Sequence, residues 1–226
     1  MKKSCKVITT YFGPRRDYPL GLHSTLDLWK SELIDHELNI DSGTETDILI
    51  VNHDCSGQDL FGKSSPEIYR RMEGYPTATH SSSPLKAGWT PQKASSEQIY
   101  DPDKISLEFL KEIDGLKTKN GEIKFINRPW DKGKGGGFGS RNYVFEKYQD
   151  DYEYWFFTED DINFYLNDYL AKCIDVFEEG HNIGFLCTLY GGAICRTWKS
   201  CHGGIGLSSS KLLKEVVDAY GFLPHP

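Results

Sequence analysis

Three observations predict a layered α/β domain with a mostly parallel central sheet and helices on both faces. Apolar runs of strand length alternate with stretches of helical spacing along the chain. One of the runs, Trp155-Phe156-Phe157, is apolar throughout, as strands covered on both faces are. And 226 residues with 38% hydrophobic and 13% aromatic content suffice for one core, so a single domain over 1–226 is expected.

The elements follow in order. Lys6-Val-Ile-Thr-Thr-Tyr-Phe12 reads as the first strand, stopped by Gly13 and Pro14. Leu22, Leu26, Trp29, Leu33 and Ile34 recur at helical spacing. Asp47-Ile-Leu-Ile-Val51 is a second strand that runs into the turn-formers of 52–57. From about 56 to 103 Ser, Pro, Gly and Thr dominate, which marks an inserted subregion, a flap or a partly disordered stretch. Leu107, Leu110 and Ile113 place a helix over 105–116, and Glu122-Ile-Lys-Phe-Ile-Asn127 is a third strand. The glycine run of 133–139 comes next, with Ser140 capping a helix through about Gln149. After the strand at 153–158, a helix spans Asn167 to Glu178 and a further strand spans Ile183 to Leu189. Ser208 caps a last helix around Leu212 to Ala219.

Composition excludes some functions. A net charge of −7 and a pI near 5.5 argue against a nucleic-acid duplex as partner, since phosphate neutralisation needs a basic face. No apolar run reaches the roughly 18 residues of a membrane span, and the start moves directly into a strand without a signal-type region. The six cysteines are scattered, without a Cys-x-x-Cys pair. A reduced, cytoplasmic protein is the expectation.

Chemistry concentrates where the strand at 153–158 runs into Glu159-Asp160-Asp161. A buried strand delivers its final residues to the sheet's carboxyl edge, where open α/β folds bind ligands. Adjacent carboxylates repel unless a cation lies between them, and a hard divalent ion, Mg2+ or Mn2+, takes such oxygen ligands. A solvated acidic turn is the other reading of these three residues. The glycine run is no Walker A loop, because Gly-Lys-Ser/Thr is missing at the required spacing. It offers backbone freedom close to a ligand, and Arg141 and Asn142 follow in the first turn of a helix whose amino end favours anions.

The ordered series Gly139-Ser-Arg-Asn142, helix, aromatic strand, Glu159-Asp160-Asp161 resembles the GT-A glycosyltransferases, particularly the family 2 group. There a Gly-x-x-x-Arg-Asn helix precedes the strand that ends in the DXD motif. Ile48-Leu-Ile-Val-Asn-His-Asp-Cys-Ser-Gly57 is similar to that family's second strand and nucleotide-binding loop. The resemblance implies a Rossmann-like GT-A fold and metal-assisted transfer of a sugar from a nucleotide-diphosphate donor to a glycan or lipid-linked saccharide. It also implies site roles. Thr10 and Tyr11 line the nucleoside pocket, and Asn52 and Asp54 contact base or ribose, with Asn52 standing where the family usually has aspartate. Arg141, with Asn142 beside it, approaches the diphosphate. Asp161 is the direct metal ligand, while Asp160 and Glu159 contact ribose or water around the ion. Asp160 and His202 are the catalytic candidates, His202 as a ligand, a base or an acceptor contact in Cys201-His-Gly-Gly-Ile-Gly-Leu-Ser-Ser-Ser210, a segment similar to the loop that closes the family's acceptor pocket. Ser208-Ser-Ser210 stands where inverting members carry an acidic base, with Glu215 and Asp218 further on. A catalytically silent nucleotide-sugar or glycan-binding module is the alternative. A sugar-phosphate nucleotidyltransferase ranks below it, because no glycine run follows the first strand.

Overall fold

The computed structural model describes residues 3–10, 33–53, 112–128, 136–160, 162, 164–179, 183–188, 205–221 and 223. Its strands are β1 (Ser4–Thr10), β2 (Thr46–His53), β3 (Ile123–Arg128), β4 (Tyr154–Glu159), β5 (Leu186–Cys187) and β6 (Gly206–Ser209). Its helices are α1 (Asp35–Asn39), α2 (Gly136–Tyr148), α3 (Tyr169–Glu178) and α4 (Ser210–Tyr220). The strands form one sheet of six in the order β3-β2-β1-β4-β6-β5. β1 pairs in parallel with both β2 and β4, and β2 with β3. β6 runs antiparallel to β4 and to β5.

Alternation along the strands sorts side chains onto two covered faces. On one face Cys5 and Val7, Leu49 and Val51, Ile126, Trp155 and Phe157 pack with Val144 and Phe145 of α2 and Leu213 of α4. On the other face Ile8, Ile48, Ile50, Ile123 and Phe125 meet Leu33 and Ile34, which lead into α1. There too Tyr154, Phe156 and Leu207 meet Tyr169, Leu170 and Ile174 of α3. Trp155, fully buried, lies edge-on to Phe145 and Tyr152 with centroids 5.0 and 5.6 Å away. Its indole N–H donates to Ser210 Oγ at 2.7 Å, so this tryptophan belongs to the core.

One charge sits inside the second face. Lys6, in the middle of β1, donates to Glu37 of α1 at 2.5 Å, and both side chains are 0% exposed. Its ammonium also lies 5.3 Å from the ring centroids of Phe164 and Tyr169. Burial pushes the Lys6 pKa down, but Glu37 and Tyr169 outweigh burial and leave it above its usual 10.5. The same burial pushes the Tyr169 phenol up to about 12. At the opposite end of the sheet Asp47 gathers Lys3 and Lys124, each at 3.3 Å, and accepts the Tyr152 hydroxyl at 2.9 Å. Burial would raise the Asp47 pKa, yet Tyr152, Lys124, the Glu122 N–H and Lys3 together hold it below its usual 3.8.

Several expectations are corrected. The first strand begins earlier, at Ser4, and the second extends from Thr46 to His53, because parallel neighbours continue the ladder past the apolar cores, while Tyr11 and Phe12 lie outside the described residues. The strand expected over 183–189 is only Leu186–Cys187 among the described residues. Gly206-Leu-Ser-Ser209, read as part of a loop, is a strand paired on both sides, β6. Gly206 has φ +154°, and a Cβ there would run into the Leu186 carbonyl, so glycine is what lets β5 approach. The first helical residue of α2 is Gly136, so Ser140 is an interior residue, and Arg141 and Asn142 lie in the second turn rather than the first. Ser209, not Ser208, caps α4, its Oγ accepting from the Leu212 N–H. Ser208 instead donates to the Gly184 carbonyl at 2.7 Å. α3 starts at Tyr169, two residues later than expected, behind Asp168 in a left-handed conformation. Residues 54–111, with the polar stretch of 56–103, lie outside the described residues, as does most of the helix expected over 22–34.

Removing one partner of a buried pair strands the other charge, so Lys6→Met should destabilise the protein by about 3–5 kcal/mol. The double variant Lys6→Met/Glu37→Leu should recover most of that loss in urea unfolding. Because the folded Lys6 pKa is raised, the pair's contribution is intact below 10.5 and fades as pH climbs through the higher folded value. Asp47 acts with the opposite sign: its contribution is present above pH 3.8 and is lost as pH falls through the depressed folded value. Urea midpoints across the acid range should therefore fall more steeply for the parent than for Asp47→Asn; equal slopes would remove Asp47 as the cause.

Candidate functional site

The strand order reverses at β1. The chain proceeds from β1 to β2 and β3 on one side, then returns to place β4 on the other. Where order reverses in an open α/β sheet, the flanking connections leave in opposite directions and open a crevice at the carboxyl ends of the two strands. Here those ends carry Thr10 on β1 and Glu159 on β4, with Asp160 directly after it, held in register by the Thr9–Glu159 pairing.

A row of polar side chains crosses this edge on the face that carries Lys6 and Glu37 deeper in. Thr10 is registered with Asn52, and Asn52 with Asn127. Asn52, only 1% exposed, donates its amide to Asn127 Oδ1 at 2.7 Å. Thr10 donates its hydroxyl to Asp160 Oδ2 at 2.5 Å, joining residues that are 150 apart in sequence. Two residues deeper, Ile8, Ile50 and Phe125 occupy the same positions on their strands, so the switch from apolar to polar happens within one step of the pleat. The two asparagines pair with each other there, and the threonine hydroxyl pairs with Asp160, as the sheet runs out of backbone partners.

The other face of the edge is cationic. Arg141 projects from α2 with its guanidinium 5.7 Å from the Phe157 ring centroid and Nη2 at 3.6 Å from Glu159 Oε1. The arginine side chain is 5% exposed and that of Glu159 43%, so the carboxylate is the solvent-facing half of the pair. Arg128, the last residue of β3 and 3% exposed, donates from Nη1 to Ser140 Oγ at 3.4 Å. Successive residues of β4 thus split their acids: Glu159 serves the α2 face and Asp160 the Thr10 face.

Thr10, Glu159, Asp160 and Arg141 therefore meet at one edge, with Asn52 one strand away. Asn142 is turned to a different task, because its amide donates to the Leu223 carbonyl and its Oδ1 accepts the Leu223 N–H. Tyr11, Asp54, Asp161 and His202 lie outside the described residues. Ser208–Ser210 belong to the opposite edge: β6 is antiparallel, so Ser209 pairs with Tyr154 at the start of β4. Glu215 and Asp218 follow on α4. Asn127, Arg128 and Ser140 were not singled out in the sequence. The edge rule applied to the end of the third strand would have found the first two, whereas Ser140 was masked by its apparent suitability as a cap.

The donor chemistry fits a hard divalent ion. Glu159 and Asp160 carry carboxylate oxygens on consecutive residues, turned to opposite faces of the sheet, and Asp161 continues the run. Among the described residues no group of three or more His, Cys, Asp and Glu is gathered for a metal ion. No helix among them is long and apolar enough to cross a membrane. Comparison with protein-family models, curated proteins and solved structures gives no match to this chain.

Asn52→Leu removes the partner of Asn127 and leaves its carbonyl oxygen at a half-buried edge, which should lower stability by about 1–3 kcal/mol. Urea unfolding of Asn52→Leu, Asn127→Leu and the double variant checks this, the double losing less than the sum of the singles.

Proposed function

We propose that the protein is a metal-assisted glycosyltransferase with a Rossmann-like GT-A layout, taking its sugar from a nucleotide diphosphate. The observation that carries the reading is the meeting of Thr10, Asp160, Glu159 and Arg141 at the reversal of strand order between β1 and β4. Support also comes from the resemblance of the Gly139-Ser-Arg-Asn142 and Glu159-Asp160-Asp161 series to the family 2 transferases.

In this reading each side chain has a task. Thr10 fixes the orientation of the Asp160 carboxylate through its hydroxyl, and Asp160 faces the ribose or the water around an ion. Arg141 supplies a planar fork for the diphosphate, with Glu159 yielding its place to phosphate oxygens. Asp161 is the residue that would hold Mn2+ or Mg2+ directly, with Asp160 and Glu159 contacting ribose or the water around the ion. One or two carboxylates completed by phosphate oxygens is a usual arrangement for Mg2+, so a full protein cage is not required. When bound, such an ion supplies Lewis-acid neutralisation of the charge that builds on the departing diphosphate. His202 is kept as a catalytic candidate, and Tyr11, Asn52 and Asp54 as nucleoside contacts. The acceptor is a glycan or lipid-linked saccharide.

A binding module without turnover is the second reading. It is favoured by the position of Ser208–Ser210, which place no acidic base and lie at the edge opposite Asp160. Turnover of a nucleotide sugar to free nucleotide separates the two.

Calorimetric titration with UDP and GDP, with Mn2+ and then with a chelator, tests the donor site. Binding should be tight with the metal and fall at least tenfold on chelation, a loss of about 1.4 kcal/mol or more. Asp161→Asn and Asp160→Asn should each abolish the metal dependence while leaving the urea midpoint near that of the parent. A folded parent that binds neither nucleotide would sink the proposal.

A further inference from the structure

Arg128 is the buried group at this edge that the proposed chemistry leaves unused. It ends β3, is 3% exposed and is therefore screened from direct contact with a ligand in solution. Its Nη1 donates to Ser140 Oγ at 3.4 Å, and Ser140 is fully buried in α2. The next residue along α2 is Arg141, whose guanidinium rests on Phe157 and faces Glu159.

The helix that carries this pair is intrinsically weak where it matters. Gly136, Gly137 and Gly139 lie in its first turn, and each glycine disfavours helix by roughly 1 kcal/mol relative to alanine. The apolar contacts that dock α2, Val144 and Phe145, come more than a turn later. Within the opening turns, the Ser140 side chain is tied to β3 through Arg128, one residue before Arg141 meets Phe157 and Glu159 of β4. That tie fixes both the rotation of the helix and its height above the carboxyl edge, and rotation decides where Arg141 points.

We infer that Arg128 is a positioning residue: through Ser140 it sets the second turn of α2 so that Arg141 faces the diphosphate of a bound nucleotide. The inference rests on the nucleotide-diphosphate reading above. Arg128 touches no ligand atom and acts through α2. The sequence carries both ends of the device, an arginine closing the third strand and a serine directly before the Arg-Asn pair.

Ser140→Ala is the mild test, because alanine is the better helix former and the variant keeps every charge. The experiment titrates parent, Ser140→Ala, Arg128→Gln, Arg141→Gln and the two doubles that include Arg141→Gln with UDP, GDP and the corresponding nucleosides in the presence of Mn2+. Ser140→Ala and Arg128→Gln should each weaken nucleotide binding about tenfold, the scale of one lost charge-assisted contact. Nucleoside affinity should stay the same, and in Arg141→Gln the further changes should have no additional effect. A general loosening of the fold would instead lower nucleoside and nucleotide affinity together. Additive losses, or unchanged nucleotide affinity in both single variants, would overturn the inference while leaving the donor site standing. If the parent binds no nucleotide, the transferase reading fails and this inference fails with it. A readout that needs no ligand is the 15N NMR signal of the Arg141 Nε–H, which should shift in Ser140→Ala; an unmoved signal also overturns the inference.

Discussion

The described sheet is arranged around β1, a strand with a parallel neighbour on either side and a charge in its middle. Covering both edges and both faces of a strand normally demands an apolar sequence, yet Lys6 occupies its centre. A lone ammonium in that position would be prohibitively costly, so the face above it must supply a counter-charge in a fixed place. Glu37 meets this requirement from α1, and the rings of Phe164 and Tyr169 close the remaining sides. The ion pair contributes little net stability by itself, since desolvation offsets attraction. Its effect is to permit only one seating of α1 and of the stretch leading to α3 on this face. The same stretch leaves the carboxyl edge directly after the acids, so the interior charge and the exposed ones share one piece of backbone.

The carboxyl edge takes its character from alternation. Consecutive residues at the end of β4 point to opposite faces, and this separates a partly buried hydroxyl-to-carboxylate contact from a half-exposed arginine–carboxylate pair. One strand end thereby addresses two kinds of group: a polar row suited to hydroxyls and bases, and a cationic flank suited to phosphates. The arrangement requires no insertion into the sheet, only that polar residues begin where the apolar ladder stops.

Much of this was legible in the sequence, because the signals were strong ones. Four consecutive apolar residues in β2 and the aromatic run of β4 can be little other than buried strands, and strand ends imply the edge where ligands bind. The Glu-Asp-Asp run was found in this way, and Arg141 from the glycine run and the helix start that precede it. What was missed had weak or misleading signals. β6 contains a single large apolar residue, Leu207, and becomes a strand because partners on both sides complete it. The glycines that open α2 argue against helix locally, and tertiary docking overrides them. Ser140 has the chemistry of a cap, but the helix had already begun. Ser208–Ser210 were read by resemblance to a family's acceptor loop, whereas the antiparallel direction of β6 carries them to the far edge. Direction is a property of pairing, and no single strand displays it.

The bond between Thr10 and Asp160 spans 150 residues, and its consequence lies in time as well as space. During synthesis β1 emerges first, and β2 can cover one of its edges early. The other edge has no neighbour until β4 has been made, long after. Contacts this distant in sequence close slowly, because the chain must lose loop entropy before they form. Through that interval β1 presents a row of open backbone groups, the kind of surface on which partly made chains aggregate. An inward-pointing charge on a waiting edge is one of the devices that blunts such pairing, and Lys6 is one, standing at the middle of the strand. The residue that constrains the finished core thus also guards the unfinished one.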